Sequence, residues 1–409
     1  MKVLMFGWEF PPFKSGGLGT ACYGLTKGLS RNGVNVTFVM PQAPENADAD
    51  FVKLVGANAL TKGMKIRKIK SILTPYMTME QYGEKARQLS NNPKKGDDVY
   101  GTNMFEEIER LSLAAKKIAA EEPHDIIHAH DWMTYEAGYF AKLVSGKPLV
   151  VHIHATEYDR TAENPNIFIR DREAWGLRVA DKIITNSNFT KQNVMKYYDI
   201  PSEKIAVVHW GIDEDLAEYE LNCANPFKGK DKIVLFLGRV TIQKGPDYFV
   251  NVARKVVDFY PNVKFVVAGN GDMLQRMINM SIEQGIADKM IYTGFLTGAD
   301  VHRAFQMADL YVMPSVAEPF GLVALESLKN RTPILISKQS GVSEVLNHAL
   351  KTDFWDINEM ANKIVNVLQH DELREELRDN SYREVQKFNL DEPARKCRDV
   401  YEEVMRSFR

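Results

Sequence analysis

The sequence predicts an α/β protein built from two doubly wound parallel-sheet domains. Short β-rich runs alternate with helical stretches along almost the whole chain, which is typical of parallel sheets covered on both faces. The 409 residues are too many for one compact core and fit two domains of roughly 200 residues each. A polar, turn-rich segment at 211–230 divides the alternation in two. We therefore expect a first domain at 1–210, a second at 211–385, and a C-terminal helix at 386–409 that packs back on the first domain.

The first half alternates between strands and amphipathic helices. Its predicted strands are Val3–Phe6, Val36–Met40, Asp125–Ala129, Leu149–His152, Lys182–Thr185 and Ala206–His209. Its predicted helices are Leu18–Arg31, Phe105–Glu121, Tyr135–Val144 and Phe189–Tyr198. The polar segment 75–102 is too long for a tight connection, so we expect a substrate-facing loop there.

The second half repeats the scheme. Its predicted strands are Ile233–Leu237, Lys264–Ala268, Met290–Thr293, Leu310–Met313 and Pro333–Ile336. Its predicted helices are Pro246–Phe259, Met273–Gln284, Ala299–Met307, Phe320–Lys329 and Val342–Asn347. The last segment, 372–409, is strongly helical and charged. Ligands of doubly wound sheets bind beyond the C-terminal strand ends, and every motif described below follows a predicted strand.

Composition and charge exclude several classes of protein. A hydrophobic content of 44% and a charged content of 26% are those of an ordinary soluble protein. The net charge of -2 argues against a protein that coats nucleic acid. The three cysteines lie far apart and show neither a zinc spacing nor a disulfide framework. Because there is neither a signal peptide nor a spanning apolar segment, we expect a cytoplasmic location.

The most informative segment is Ser315–Glu326, which reads S-V-A-E-P-F-G-L-V-A-L-E. It follows an apolar run, and a proline fits the first turn of a helix, so a helix is predicted to begin at Pro319. The amides of Phe320, Gly321 and Leu322 would then be unpaired donors at a positive helix end, ready to bind an anion. Glu318 and Glu326 bracket this helix start.

A second anion-binding element stands upstream, in G-R-V-T-I-Q-K-G-P. Arg239 and Lys244 follow the apolar run Ile233–Leu237, and Gly245 and Pro246 open a helix. Such cations are usually solvated surface, but here arginine can grip a phosphate with two donors while lysine supplies a point charge. Two cations, a helix start and two carboxylates suit a ligand with a pyrophosphate at one end and hydroxyls at the other. Nucleotide sugars have that shape.

Two glycine-rich turns are further candidates. K-S-G-G-L-G lies between the first strand and the first helix, so Gly16 and Gly17 let the backbone approach a phosphate beside Lys14. G-N-G-D closes the strand Lys264–Ala268, and Gly269 and Gly271 are predicted to pack beside a nucleobase.

Two His-x-His pairs, His128/His130 and His152/His154, end successive strands of the first half. Residues two apart in a strand share a face, so both pairs are expected to point into one cleft. A zinc or two-metal hydrolase is an alternative interpretation of such pairs, and purely structural histidines are another. The hydrolase would leave the anion-binding elements without a role, so we predict no metal site. His154, at its strand end, is best placed to contact a ligand.

With these motifs the chain resembles the retaining GT-B glycosyltransferases of families 4 and 5, and among them the bacterial and archaeal glycogen synthases. The resemblance spans nearly the whole length, and the glutamates of E-P-F-G-L-V-A-L-E, coupled to Arg-x4-Lys upstream, are its most specific part. The other markers are K-S-G-G-L-G, Y-G-T-N-M-F-E-E, H-A-H-D-W and H-I-H-A-T-E. A departure follows Ile336, where S-K-Q-S-G-V-S-E replaces the usual Gly-Gly-x-Pro-Glu, although Glu344 is retained.

The resemblance implies a GT-B fold with two domains facing a cleft, and it implies a role for each candidate residue. Arg239 and Lys244 would hold the donor pyrophosphate and stabilise the leaving group. Glu318 would contact the hydroxyls of the transferred sugar, and Glu326 would contact the ribose. His154 would also contact the transferred sugar. Backbone amides around Gly17 and Phe320–Leu322 cradle phosphates. Asp131 and Tyr158 belong to the acceptor side.

We therefore expect a retaining, metal-independent transferase that moves a glucosyl unit from ADP-glucose or UDP-glucose to an α-glucan such as glycogen. Three alternatives stay open. A related transferase would use a small or lipid-linked acceptor, such as a sugar phosphate, or would transfer mannose. A metal-dependent hydrolase would use the His-x-His pairs. A non-catalytic glucan-binding protein would bind glycogen and release no nucleotide.

Overall fold

The computed structural model describes residues 1–11, 17–41, 50–57, 104–213 and 231–408. The chain divides into two compact units, Met1–Gly211 with Leu390–Arg409, and Ile212–Asn389. The first boundary falls at Gly211, where the prediction placed it at residue 210. The chain returns to the first unit at Leu390, where the prediction had residue 386.

The first unit contains a seven-stranded parallel sheet with the order β3-β2-β1-β4-β5-β6-β7. Its strands are β1 (Lys2–Phe6), β2 (Asn35–Met40), β3 (Lys53–Gly56), β4 (Ile126–His130), β5 (Leu149–Ile153), β6 (Lys182–Thr185) and β7 (Ile205–Val207). The order reverses between β1 and β4, so the loops after these two strands flank the place where ligands enter doubly wound sheets.

The helices of the first unit connect these strands. They are α1 (Gly17–Arg31), α2 (Met104–Glu121), α3 (Trp132–Ser145), the short α4 (Glu157–Arg160), α5 (Ile167–Val179) and α6 (Asn188–Tyr198). The core between sheet and helices is continuous and includes Leu4, Ile108, Tyr135, Val151 and Leu177, each no more than 1% exposed. Neither α4 nor α5 was predicted from the sequence. In α5 charged residues interrupt the apolar ones, so no helical periodicity stands out.

The second unit contains a six-stranded parallel sheet with the order β10-β9-β8-β11-β12-β13. Its strands are β8 (Lys232–Leu237), β9 (Val263–Ala268), β10 (Met290–Gly294), β11 (Leu310–Met313), β12 (Ile334–Ser337) and β13 (Leu350–Thr352). Here the order reverses between β8 and β11. The two sheets confirm the predicted pair of doubly wound α/β domains.

The helices of the second unit are α7 (Pro246–Phe259), α8 (Leu274–Glu283), α9 (Ala299–Met307), α10 (Leu322–Lys329), α11 (Ile357–Gln369) and α12 (Asp371–Val385). The helix predicted at Val342–Asn347 is wrong, since only one 3₁₀ turn forms, at Gly341–Glu344. Strand β13 and helix α11 were not predicted, and β13 is too short for its pattern to stand out. No helix among the described ranges has the length and apolar character needed to cross a bilayer.

The last helix, α13 (Asp391–Ser407), packs against α1 of the first unit. The contact is close because Gly28 has no side chain: a Cβ there would lie 2.4 Å from the carbonyl oxygen of Leu390. Farther along α13, the hydroxyl of Tyr401 and Nδ1 of His128 are joined by a hydrogen bond of 2.6 Å. The C-terminal helix therefore supports the histidine-bearing strand β4.

Candidate active site

The second unit brings two of the predicted motifs together where its strand order reverses. Strands β8 and β11 pair directly, with Tyr311 opposite Leu235. The loops that follow them are also bonded, since the amide of Val316 donates to the carbonyl of Gln243 at 2.9 Å. Beneath the loops the buried hydroxyl of Tyr311 donates to the carbonyl of Leu237 at 3.2 Å. The Arg239–Lys244 loop and the Glu318 segment thus lie side by side.

Lys244 and Glu318 form a hydrogen-bonded ion pair, from Nζ to Oε2. The lysine side chain is 18% exposed and the glutamate side chain 8%. The hydroxyl of Ser315 donates to the same carboxylate oxygen at 3.4 Å. The sequence assigned these two residues to opposite ends of a ligand and did not predict that they pair. The ammonium group retains donors for a second anion, because lysine carries three.

The backbones of Glu318 and Phe320 are hydrogen-bonded to the loop after β12, where Glu318 forms a parallel bridge with Ser340. The Glu318 amide donates to the Gln339 carbonyl at 2.9 Å, and its own carbonyl accepts from Gly341 at 2.9 Å. The Phe320 carbonyl accepts from Val342 at 2.7 Å. This pairing prevents a helix from starting at Pro319, so that prediction is wrong and α10 begins at Leu322.

Gly321 caps α10 with a left-handed backbone, at φ 107°, and no side chain bonds to the cap. A Cβ on Gly321 would lie 3.2 Å from Glu318 Cγ, Met313 Cε and Val342 Cγ1. Glycine is therefore required both for the backbone turn and for the close packing around it. The amides at the start of α10 have no acceptor within the helix and form the positive end of its dipole.

The remaining donor-side residues occupy the same edge of the second sheet. Arg239 is half-buried in the loop after β8, and Glu326 is half-buried on α10. Burial raises the pKa of the Tyr311 hydroxyl well above its usual value, and the carboxylates of Glu318 and Glu326 raise it further. Both glutamates therefore act electrostatically on a buried side chain of β11.

Gly269 and Gly271 make room for the loop after β8. A Cβ on Gly269 would lie 1.8 Å from the Gly238 carbonyl oxygen, and one on Gly271 would lie 2.2 Å from that of Val240. The loops are also bonded, since the amide of Val240 donates to the carbonyl of Asn270 at 2.9 Å. The two glycines are therefore needed for the close packing of the Arg239 loop. Their predicted contact with a nucleobase is a separate role. In the first unit Gly17 is exposed at the start of α1, while Lys14 and Gly16 lie outside the described residues.

Replacing Gly245 with alanine is expected to destabilise the second unit. A Cβ there would lie 2.1 Å from the carbonyl oxygen of Pro314, in a backbone with φ +65°. Gly285 is a matched control, since it has φ +68° and no atom near its Cβ position. We expect Gly245→Ala to lower the unfolding free energy about 1–3 kcal/mol more than Gly285→Ala, because overpacking adds to the backbone strain. Equal losses in denaturant titrations of both variants would contradict this account.

The first unit places the four histidines of the His-x-His pairs in one stacked cluster. His130 and His152 occupy paired positions on β4 and β5. The rings of His152 and His154 stack at 4.4 Å, and Trp210 stacks on His152 at 5.1 Å. Nδ1 of His130 and Nε2 of His154 share a hydrogen bond of 2.9 Å. The two pairs therefore share one face, as the strand periodicity predicted. No pattern in the sequence indicates that Trp210 completes the stack.

All four imidazoles are held in the neutral form. Burial lowers the pKa of His128, His130 and His152 well below the usual value, and neighbouring histidines lower it further. Burial also lowers the pKa of His154 to about 3, although the residue as a whole is only half-buried. His154 is thus a neutral group that orients or accepts a hydrogen bond near pH 7.

The histidine cluster is expected to make the protein acid-labile. Folded-state pKa values below the usual 6.5 mean that the unfolded chain binds more protons, so stability falls as pH drops below that value. His152→Phe should reduce this slope at little cost, since neither ring nitrogen of His152 has a hydrogen-bond partner among the described residues. Urea unfolding at pH 7 and pH 5 measures both effects, and an unchanged slope in the variant would contradict the assignment.

Asp131 holds His154 through the backbone. Its Oδ1 accepts the His154 amide at 2.8 Å, and the side chain of Asn186 donates to the His154 carbonyl at 2.9 Å. Asp131 itself has a φ of 57°, an uncommon backbone for a residue with a side chain. Burial raises the pKa of its carboxyl to about 6, opposed by the Arg160 charge. Tyr158, the other predicted acceptor-side residue, is half-buried with its ring stacked 4.0 Å from that of Tyr197.

A buried ionic network that the sequence did not predict anchors the chain after His154. Arg160 contacts both Glu157 and Glu173, and its Nη1 donates to the Ala155 carbonyl at 2.7 Å. Glu173 Oε2 accepts the Glu157 amide at 2.9 Å and the hydroxyl of Tyr198. Arg160 and both glutamates are at most 4% exposed. The members are spread over α4, α5 and α6, so no local motif indicates them.

Comparison with known families agrees with this architecture. Residues 2–216 match the family described as the starch synthase catalytic domain, and residues 220–384 match the family described as glycosyl transferases group 1. The two matches meet near the boundary between the two units of the structure.

Known proteins resemble the chain over most of its length. An uncharacterized glycosyltransferase of Methanocaldococcus jannaschii is 29% identical over 423 residues, covering 99% of both chains. A glycogen synthase of Mycobacterium tuberculosis is 25% identical over 352 residues, covering 85% of this chain and 80% of that one. The structure of sucrose-phosphate synthase from Thermosynechococcus elongatus superimposes with a TM-score of 0.74 at 18% identity, covering 99% of both chains, and shows the same fold. The chain therefore belongs to the starch synthase catalytic domain family and is a glycogen synthase-like glycosyltransferase with the GT-B fold.

Proposed function

We propose that the protein transfers a glucosyl unit from a nucleotide diphosphate sugar to a hydroxyl of an α-glucan, with retention of the anomeric configuration and without a metal ion. The observation that carries the proposal is the Lys244–Glu318 ion pair beside the Arg239 loop, at the point where the strand order of the second sheet reverses. A cation that binds phosphate and a carboxylate that binds sugar hydroxyls thereby lie next to each other, as a sugar bonded to a diphosphate requires.

The proposed mechanism rests on charge stabilisation. As the bond between sugar and diphosphate breaks, positive charge develops on the sugar ring and negative charge on the leaving group. Arg239 and Lys244 are fixed cations on the loop after β8, and in this proposal they stabilise the departing diphosphate. The departing diphosphate takes the proton of the acceptor hydroxyl on the same face of the sugar, which retains the configuration.

The other residues position the donor. In the proposal, Glu318 accepts from hydroxyls of the sugar, Glu326 binds the ribose, and the amides of Leu322 and Gly17 contact phosphate oxygens. His154, neutral near pH 7, orients the sugar by hydrogen bonding, and Asp131 keeps its backbone in place. Because a pKa of about 3 makes the His154 imidazole a weak base, the acceptor proton in this proposal goes to the departing diphosphate.

The test is a donor panel. The protein is incubated with ADP-, UDP- and GDP-sugars and glycogen, and release of nucleotide diphosphate is measured with Lys244→Ala as the control. We expect release from ADP-glucose or UDP-glucose that Lys244→Ala loses and EDTA leaves unchanged. NMR of the new linkage reports the configuration. Loss of activity with EDTA would favour a metal-dependent hydrolase.

The acceptor is tested separately with glycogen, maltose and glucose 1-phosphate. We expect transfer to glycogen and maltose. Nucleotide release coupled only to glucose 1-phosphate, or only to a lipid extract, would assign the enzyme to transferases with small or lipid-linked acceptors. Glycogen binding without release of nucleotide from any donor would overturn the enzymatic assignment. We propose a cytoplasmic location for the protein on the basis of its use of nucleotide sugars.

A further inference from the structure

The first unit contains three clustered side chains that can bind a metal ion, a role that the proposed reaction does not give them. They are Cys22 on α1, His130 at the end of β4, and His154. One ligand atom from each of these residues lies within 4.8 Å of the other two. Cys22 and His130 are fully buried, and His154 is the least buried of the three residues, so an ion would have to enter past His154.

We propose that Cys22, His130 and His154 bind a thiophilic divalent cation such as Zn²⁺, and that the bound cation inhibits the transferase by occupying His154. The inhibition rests on the proposed function, because it requires His154 to contact the transferred sugar. Binding of the ion does not depend on that function.

The hydrogen bond between the two histidines marks the position of the ion. His130 Nδ1 and His154 Nε2 are 2.9 Å apart with a single proton between them. Zinc binds imidazole nitrogen at about 2.0–2.1 Å and thiolate sulfur at about 2.3 Å, so ligand atoms of a tetrahedral site lie roughly 3.3–3.6 Å apart. A small separation of the two rings would therefore admit a cation, with the Cys22 sulfur as the third ligand.

The surrounding charges favour a cation. Burial raises the pKa of the Cys22 thiol well above its usual value, and the carboxylates of Asp131 and Glu9 raise it further. The same negative field attracts a divalent ion, which displaces the thiol proton on binding.

The protons balance in this exchange. Cys22 releases one proton to solvent as its sulfur bonds to the metal. His130 gives up Nδ1 to the metal and carries its proton on Nε2, which has no hydrogen-bond partner among the described residues. The His154 Nε2 lone pair, which faces His130 Nδ1 in the metal-free protein, then bonds to the metal, and the ring movement that admits the ion shifts His154 from its sugar-binding position.

A second possible trio, His128, His130 and His152, is less suitable. The rings of His128 and His152 are stacked with only 8° between their planes, and those of His130 and His152 with 26°. The nearly parallel rings of His128 and His152 direct their nitrogen lone pairs side by side rather than towards one point. The inclination of 26° does not separate the two trios, because His130 and His154 are inclined by 30°. The trio with Cys22 also supplies the thiolate, which Zn²⁺ binds readily.

The binding test uses Co²⁺ and Zn²⁺ without any sugar substrate. We expect one Co²⁺ per chain, with a sulfur-to-cobalt charge-transfer band that Zn²⁺ displaces. Cys22→Ala should abolish the band and weaken Zn²⁺ binding by at least about 10-fold, since even groups outside the first coordination shell affect metal affinity by about 10- to 100-fold. Cys397→Ala, which also removes a buried thiol, is the matched control and should retain both. Cys22→Ser, which keeps the side-chain volume, should behave like Cys22→Ala.

The activity test compares the same variants. Micromolar Zn²⁺ should lower nucleotide release in the wild type and in Cys397→Ala, EDTA should restore it, and Cys22→Ala should resist inhibition while keeping its basal rate. Absence of the cobalt band, a band that persists in both Cys22 variants, or equal Zn²⁺ inhibition of Cys22→Ala would overturn the proposal. If no donor is turned over at all, the proposed function fails while the binding test still decides on the metal site.

Discussion

Replacing Lys244 with alanine is expected to lower nucleotide release by about 100-fold or more. The variant removes a cation that the mechanism places on the departing diphosphate, and loss of a single charge-stabilising group costs roughly 100- to 1000-fold in turnover. It also leaves the Glu318 carboxylate, 8% exposed, without its ion-pair partner. The rate is measured with saturating donor, so that weaker donor binding does not account for the loss.

Arg239→Ala is expected to have an effect of similar size, since the guanidinium belongs to the same loop after β8. Arg254→Ala on α7 is a suitable control, because Arg254 is 41% exposed and pairs with exposed Asp258. We expect that control to keep normal turnover. Near-normal turnover in both Lys244→Ala and Arg239→Ala would remove the basis of the assignment.

A double variant of the Lys244–Glu318 pair distinguishes a role of Lys244 in the reaction from a role in folding. Lys244→Ala combined with Glu318→Gln removes both charges and so avoids a carboxylate left without its partner in a mostly buried position. We expect the double variant to regain stability in denaturant titrations and to remain inactive. If activity returned together with stability, Lys244 would serve the fold and not the reaction.

The fold was largely predictable because its strands are short apolar runs bounded by polar turns. Lys182–Thr185, Leu310–Met313 and Pro246–Phe259 have the predicted bounds. The same rule placed the candidate residues at strand ends, and the parallel sheets then bring the Arg239 loop beside Glu318. Strand periodicity alone put His128 and His130 on one face.

The wrong predictions share a physical cause, which is pairing between distant parts of the chain. Proline at position 319 favours a local helix start, but the bonds of Glu318 and Phe320 to the segment after β12 hold this stretch in a non-helical conformation. The Lys244–Glu318 pair joins residues 74 positions apart, and the contact of His128 with Tyr401 joins residues 273 apart. Such contacts leave no periodic signal in the sequence.

Replacing Arg160 with alanine is expected to be the most destabilising single change in the first unit. Arg160 is the guanidinium between the buried carboxyls of Glu157 and Glu173. Removing one partner of a buried pair costs roughly 3–5 kcal/mol, because the remaining carboxyls must either stay ionised without compensation or take up protons. The Ala155 carbonyl also loses its donor, so the segment after His154 loosens. Arg170→Ala, which breaks an exposed pair with Asp171, is the control and should cost less than about 1 kcal/mol.

The pH dependence of this loss identifies its cause. Burial raises the pKa of Glu173 to about 8, against the lowering effect of Arg160. The folded protein therefore holds a proton that the unfolded chain has lost above its usual value of 4.5, so this group makes stability fall as pH rises towards 8. Without Arg160 that pKa rises further, and the cost of ionising Glu173 grows. We expect the deficit of Arg160→Ala in urea titrations to be larger at pH 9 than at pH 6, and to shrink when Glu173→Gln is added. A deficit independent of pH would mean that Arg160 acts through packing, because only an uncompensated carboxylate responds to the proton concentration.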